Sequence, residues 1–197
     1  MNQRTHPDTN TWRTIEIFIT ASMGTLISIT PIIVVESSFS FEVALILFFL
    51  NNLIVIDDWW VTIQSFKKYT SATSGIAAIT IIYHNALILM TVWLLAAGRN
   101  LVPLSGYLLI LFVISLLDIG WCQIALKTHP ETERKDLLLV QAWKNSDVAS
   151  TVIYLVGFLL LYCLQSAPLT CALTFCVLYA IRRTLDEITV RFFSGIV

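Results

Sequence analysis

The stretch that decides the fold is "FEVALILFFLNNLIVIDDWW", Phe41 to Trp60. Fourteen apolar or amide residues separate Glu42 from the Asp57-Asp58 pair, broken only by Asn51-Asn52, with no Pro or Gly to stop a helix. A bilayer core of about 30 Å needs about 20 predominantly apolar residues as helix, because backbone N–H and C=O groups find no water there and must bond within the segment. The stretch therefore predicts a membrane-spanning helix with acids at one end.

The rest of the chain agrees. Of 197 residues 57% are hydrophobic and 13% charged, a balance that a soluble domain does not carry. Six windows are long and apolar enough, roughly Ile15 to Val35, Phe41 to Ile63, Gly75 to Ala97, Leu101 to Leu126, Val148 to Gln165 and Pro168 to Leu185. The expectation is an all-α integral membrane protein of six transmembrane helices arranged as three hairpins, the last closed by a tight turn around Ser166 to Pro168. Residues 1–14 form a polar N-terminal tail, 127–147 a connector and 186–197 a C-terminal tail. The apolar segment behind the first tail is too long for a cleavable signal sequence.

Orientation follows from the cations, since Lys and Arg accumulate on the cytoplasmic side. With six spans, Arg4, Arg13, Lys67, Lys68, Lys127, Arg134, Lys135, Lys144, Arg182, Arg183 and Arg191 share one face, and Arg99 stands on the other. Both termini are thus predicted to be cytoplasmic. The connector "KTHPETERKDLLLVQAWKNSD", Lys127 to Asp147, has Pro130, Glu131 and Glu133 near a helix start, then apolar Leu137, Leu138, Val140 and Trp143. It reads as an amphipathic helix lying in the interface, with Arg134, Lys135 and Trp143 as a candidate surface for a cytoplasmic partner.

Depth places the acids. Asp57 lies fifteen residues beyond Glu42, roughly 22 Å along a helix, and Trp59 and Trp60 mark the headgroup level. Asp118 repeats the arrangement: Asp57-x-x-Trp60-x-x-Ile63 matches Asp118-x-x-Trp121-x-x-Ile124. Two readings stand side by side. The acids are interfacial anchors balanced by neighbouring Arg and Lys, or they form an inner vestibule that concentrates cations, as acidic rings do in channels.

Other polar residues lie deeper. Asn51 and Asn52 are expected to face protein and to hydrogen-bond across helices. The first span carries Thr20, Ser22, Thr25, Ser28 and Thr30 before Pro31, which removes the backbone bond to Ile27. Its polar residues suit a lumen. His84 and Asn85 sit near the middle of the third span, where ionisable groups are functional candidates.

Enzyme chemistry finds little support. His84 has no second histidine one turn away, Asp57-Asp58 has no further acid at i+3 or i+4, and neither a nucleophile elbow, H-E-x-x-H nor a P-loop occurs. No lysine lies within a span to hold retinal. Cys122, Cys163, Cys171 and Cys176 fall in apolar stretches without zinc or disulfide spacing and read as packing residues. Hence no cofactor, no metal and no nucleic-acid partner are expected.

The layout resembles the prokaryotic relatives of the lysosomal potassium channel. "RTIEIF" opens the first span, "DDWWVTIQSFKK" ends the second, and "YAIRRTLDE" closes the last in a similar charged finish. In that family the first helix lines the pore with a Phe-Ser-Asp motif; here Phe18 is followed by Ile19 and Thr20, and polar Thr25 stands where a bulky constriction would fall. The resemblance implies a homotetramer in the cell membrane, most simply a bacterial inner membrane, and a cation or potassium channel or leak pathway. The competing expectation is a non-conducting membrane anchor or sensor that recruits a cytoplasmic effector, for example in bacterial antiphage defence or signalling.

Overall fold

The computed structural model describes residues 9–69, 74–128 and 134–194, and these are helical apart from short loops. The helices are α1 (Thr9–Ile29), α2 (Pro31–Glu36), α3 (Phe41–Tyr69), α4 (Ser74–Gly98), α5 (Gly106–Thr128), α6 (Arg134–Cys163) and α7 (Pro168–Ser194). Four stretches, Glu16–Glu36, Ala78–Gly98, Gly106–Lys127 and Leu137–Cys163, are long and apolar enough to cross a membrane. The protein is therefore a membrane-embedded, all-helical bundle.

Neighbouring contacts run α4 to α5, α5 to α6, α6 to α7, α7 to α3 and α3 back to α4, so five helices close a ring. The α1–α2 unit packs over the α3–α4 side of that ring. Leu47, Leu87, Met90, Leu94, Tyr107 and Phe175 fill its interior without exposure, Tyr107 stacking on Phe175 with ring centroids 5.2 Å apart.

One end of the ring is tied by tight loops. Ser38 N–H and its hydroxyl both donate to the Gly98 carbonyl (2.7 and 2.8 Å), and Asn100 Nδ2 donates to Ser38 Oγ (2.9 Å). Helix α4 ends with Asn100 in the left-handed region (φ 58°), the Leu101 N–H reaching the Ala96 carbonyl and the Asn100 N–H the Ala97 carbonyl. Gln165 (φ 45°) ends α6 in the same way, Ser166 bonding to Leu161 and Gln165 to Tyr162. Each pair of bonds satisfies carbonyls that a helix end otherwise orphans.

Several boundaries differ from those expected. The first span is not one rod: it breaks between Ile29 and Pro31, because Pro31 cannot donate to the Ile27 carbonyl. Thr30 Oγ1 takes over that carbonyl (2.8 Å) and accepts from Asn52 Nδ2 (3.1 Å), so the break is held by a side chain of α3. Leu101 to Ser105, expected within the fourth span, form the loop before α5, which starts at Gly106. The expected interfacial connector is also corrected. Residues 134–147 and the fifth span are one continuous helix, since no Pro or Gly separates them and Val140, Asp147, Ser150, Tyr154 and Leu161 keep a single buried stripe. Helix α7 likewise continues through most of the expected C-terminal tail, and α1 begins inside the expected N-terminal one.

Asn51 is fully buried, its Nδ2 donating to Thr91 Oγ1 (3.1 Å) while Tyr107 donates to its Oδ1 (3.4 Å). Asn51→Ala strips both partners of a buried amide. A loss of about 1–2 kcal/mol is expected from interhelical bonds averaging about 0.6 kcal/mol each plus the Tyr107 hydroxyl left without its acceptor. Reversible unfolding in mixed detergent checks it; an unchanged midpoint would mean that water replaces the amide.

Candidate functional site

In the half of the ring away from the tight loops, and partway along the helices, every ring helix contributes to one cavity of about 120 Å³. Asp57 and Asp58 come from α3, Thr80 and Tyr83 from α4, Asp118, Trp121 and Cys122 from α5, Trp143 and Asp147 from α6, and Arg182, Arg183 and Asp186 from α7. The helical repeat explains the grouping. Arg182 and Asp186 are one turn apart on α7, and Asp118, Trp121 and Cys122 lie on one face of α5.

Arg182 is the hub. Its side chain is 10% exposed and lies 3.5 Å from Asp118, 3.8 Å from Asp58, 3.9 Å from Asp147 and 4.0 Å from Asp186. Four carboxylates from four helices thus surround one guanidinium. These separations exceed the roughly 2.7–2.9 Å of a charge-assisted hydrogen bond, so the guanidinium is encircled rather than clamped. At the mouth, Arg183 pairs with Asp57 (3.0 Å) and approaches Asp186 (3.8 Å), and the Tyr179 hydroxyl donates to Asp57 (3.1 Å). The Ser146 hydroxyl donates to Asp186. Five carboxylates face two guanidiniums, a formal excess of three negative charges.

The cluster has a floor and a rim. Asp58 and Asp147 are buried, whereas the side chains of Asp57, Asp118 and Asp186 keep about a fifth of their surface open. Asp58 Oδ2 and Arg182 Nε and Nη1 make no hydrogen bond among the described residues. No group of three or more His, Cys, Asp or Glu side chains among those residues is arranged to hold a metal ion.

Of the residues singled out in the sequence, Asp57, Asp58 and Asp118 come together here, and so does Trp143, which lines the cavity. The side chains of Arg134 and Lys135 lie outside the described residues. Asn51 and Asn52 occupy separate hydrogen-bonded positions deeper in the bundle. His84 is buried against α1, bonded to Ser22, with the Phe18 ring edge-on to it at 6.0 Å. Thr20, Thr25 and Asn85 are on the outer surface; Thr25 and Asn85 bond back to their own helices, to the Ala21 and Ile81 carbonyls.

Sequence reasoning missed Arg182 as the centre and Asp147 and Asp186 as members. A signal existed: Asp147 interrupts the apolar stripe Val140, Ser150, Tyr154, Leu161, and a charge on a core stripe asks for a partner.

No protein-family model matches the chain, and no curated protein or solved structure matches it either. Fold and site together define a membrane-embedded helical bundle with a buried arginine–aspartate cluster inside it.

Proposed function

We propose that the chain is a subunit of a cation channel or leak pathway in the cell membrane, with the aspartate cluster of each copy beside its cytoplasmic mouth. The observation that carries this reading is the convergence of Asp57, Asp58, Asp118, Asp147 and Asp186 on one cavity with two arginines against them. Carboxylates that outnumber their counter-ions raise the local cation concentration at a mouth.

In this reading α3 and α7 join the four apolar helices to make six spans, and both termini are cytoplasmic. The cation distribution supports it. Among the described residues Arg99 is at the tight-loop end, while Arg13, Lys127, Lys144, Arg182, Arg183 and Arg191 are towards the other. The route runs between copies rather than through one, because the ring interior is packed with Leu47, Leu87, Met90 and Leu94. Exposed Thr20, Gly24, Thr25 and Ser28 give α1 a polar outer face suited to such a shared axis. A homotetramer and potassium as the ion follow the family that the layout resembles. The anchor alternative has weaker support, since Trp143 turns into the cavity instead of a free surface.

Ion flux into liposomes reconstituted with purified protein tests the reading. Under potassium, sodium and proton gradients, silence in all three sinks it. Asp57→Asn is expected to lower cation flux roughly twofold at low salt. One unit charge about 8 Å from an ion in water is worth about 0.5 kcal/mol, and the deficit should shrink as salt screens it.

A further inference from the structure

We propose that the cavity at the aspartate cluster is a binding site for a small organic monocation of the alkylammonium or guanidinium class. The inference rests on the reading of that cluster as a cation-handling site and names the chemistry that it selects.

Three observations point the same way. The first is size. A cavity of about 120 Å³ is close to the roughly 150 Å³ of cavities that hold benzene. Methylguanidinium or methylammonium fits.

The second is the unfilled valence. Asp58 is 6% exposed, lines the cavity and has Oδ2 without a hydrogen-bond donor among the described residues. A buried carboxylate oxygen without a donor is costly, and an N–H-bearing cation supplies one. The cluster already holds a guanidinium of this kind, that of Arg182, by four carboxylates.

The third is the wall. Trp121, Trp143 and Tyr83 line the same cavity as Asp58, Asp118 and Asp147. Aromatic faces attract weakly hydrated organic cations, whereas a divalent metal asks for several oxygen ligands converging at 2.0–2.6 Å, roughly. Among the described residues no set of three acidic or sulfur or imidazole ligands is arranged that way. A box of acidic side chains and indoles with a formal excess of negative charge therefore selects an organic monocation over a bare metal ion.

Entry is from the rim. Asp57, Asp118 and Asp186 are part-open there, so an incoming cation meets exposed carboxylates before it reaches the buried pair Asp58 and Asp147.

Equilibrium binding of radiolabelled methylguanidinium to the full chain in lipid nanodiscs tests the proposal, with potassium chloride and magnesium chloride as competitors at matched ionic strength. Saturable binding near one per chain is expected, with at least tenfold weaker competition by either salt. Asp118→Asn and Trp121→Leu, each checked for an unchanged elution profile, should weaken binding tenfold or more. If Asp118→Asn does not fold, Trp143→Leu, which leaves all the carboxylates, serves in its place. Absence of saturable binding overturns the proposal, and so does potassium competing as well as unlabelled methylguanidinium, or binding that the folded variants leave unchanged. Flux of inorganic cations without methylguanidinium binding would remove this inference alone; binding without flux would remove the channel and leave the site.

Discussion

Arg182→Met destabilises the folded bundle by about 3–5 kcal/mol, the cost expected when one partner of a buried ionic group is removed and the other left uncompensated. Four carboxylates within 4.0 Å of the guanidinium lose their shared counter-charge, and two of them, Asp58 and Asp147, are too buried to recover it from water. Because those carboxylates come from α3, α5, α6 and α7, their repulsion acts directly on the ring closure. Arg182→Lys should recover only part of the loss, since a point-like ammonium cannot face four acids as a planar fork does. Neutralising acids as well, in Arg182→Met with Asp58→Asn and Asp147→Asn, should restore much of the stability, because replacing a whole buried ionic group is often neutral. Unfolding in mixed detergent measures all three. A midpoint for Arg182→Met within error of the wild type would show that Arg182 does not hold the cluster together.

Gly106→Ala is expected to cost about 1–3 kcal/mol, the range for overpacking a tight contact. A Cβ at Gly106 would sit inside the Trp93 indole, 2.6 Å from Cε2 and 2.8 Å from Nε1 and closer still to Cζ2. The ring cannot turn aside without losing the bond from Nε1 to the Pro103 carbonyl (3.0 Å), which fixes the loop leading into α5. Trp93→Leu in the Gly106→Ala background should return part of the loss, whereas at Gly24, where a Cβ meets nothing within 4 Å, alanine should be tolerated in the isolated chain. An equal gain at both positions would mean that helix propensity, and not the indole, sets the outcome.

Much of the architecture was legible because a bilayer imposes a single rule on sequence. Backbone groups must bond internally, so apolar length reads directly as helix, and Phe41, Ser74 and Pro168 begin helices close to where the windows begin. The errors share a cause. Hydropathy marks where apolar residues stop and does not mark where hydrogen bonding stops, so the charged ends of Arg134 to Asp147 hide the helix that this segment continues, and apolar Leu101 to Leu104 read as part of a helix that they precede. Pro31 was visible as a break, but its repair by Thr30 and Asn52 depends on a residue 21 positions further on, which no local pattern encodes.

The matched Asp57-x-x-Trp60 and Asp118-x-x-Trp121 pair an acid of α3 with one of α5, and that match is readable from spacing alone, although both acids lie near the middle of their helices and not at the ends that spacing suggests. Which cations answer them was not. "RRTLDE" offers two adjacent arginines about 100° apart on a helix, and only the packing of α7 against α3 and α6 turns Arg182 inward among four aspartates and leaves Arg183 at the rim.

By itself, then, the sequence determined that this chain is helical and apolar enough for a membrane, and which of its apolar stretches carry acids, because these follow from the local energetics of backbone and side-chain burial. Tertiary structure alone decided that five aspartates and two arginines share one cavity, since side chains more than 120 residues apart, as Asp57 and Tyr179 are, meet only when the ring closes. Charge balance at that site is a sum over helices, and no single segment carries it.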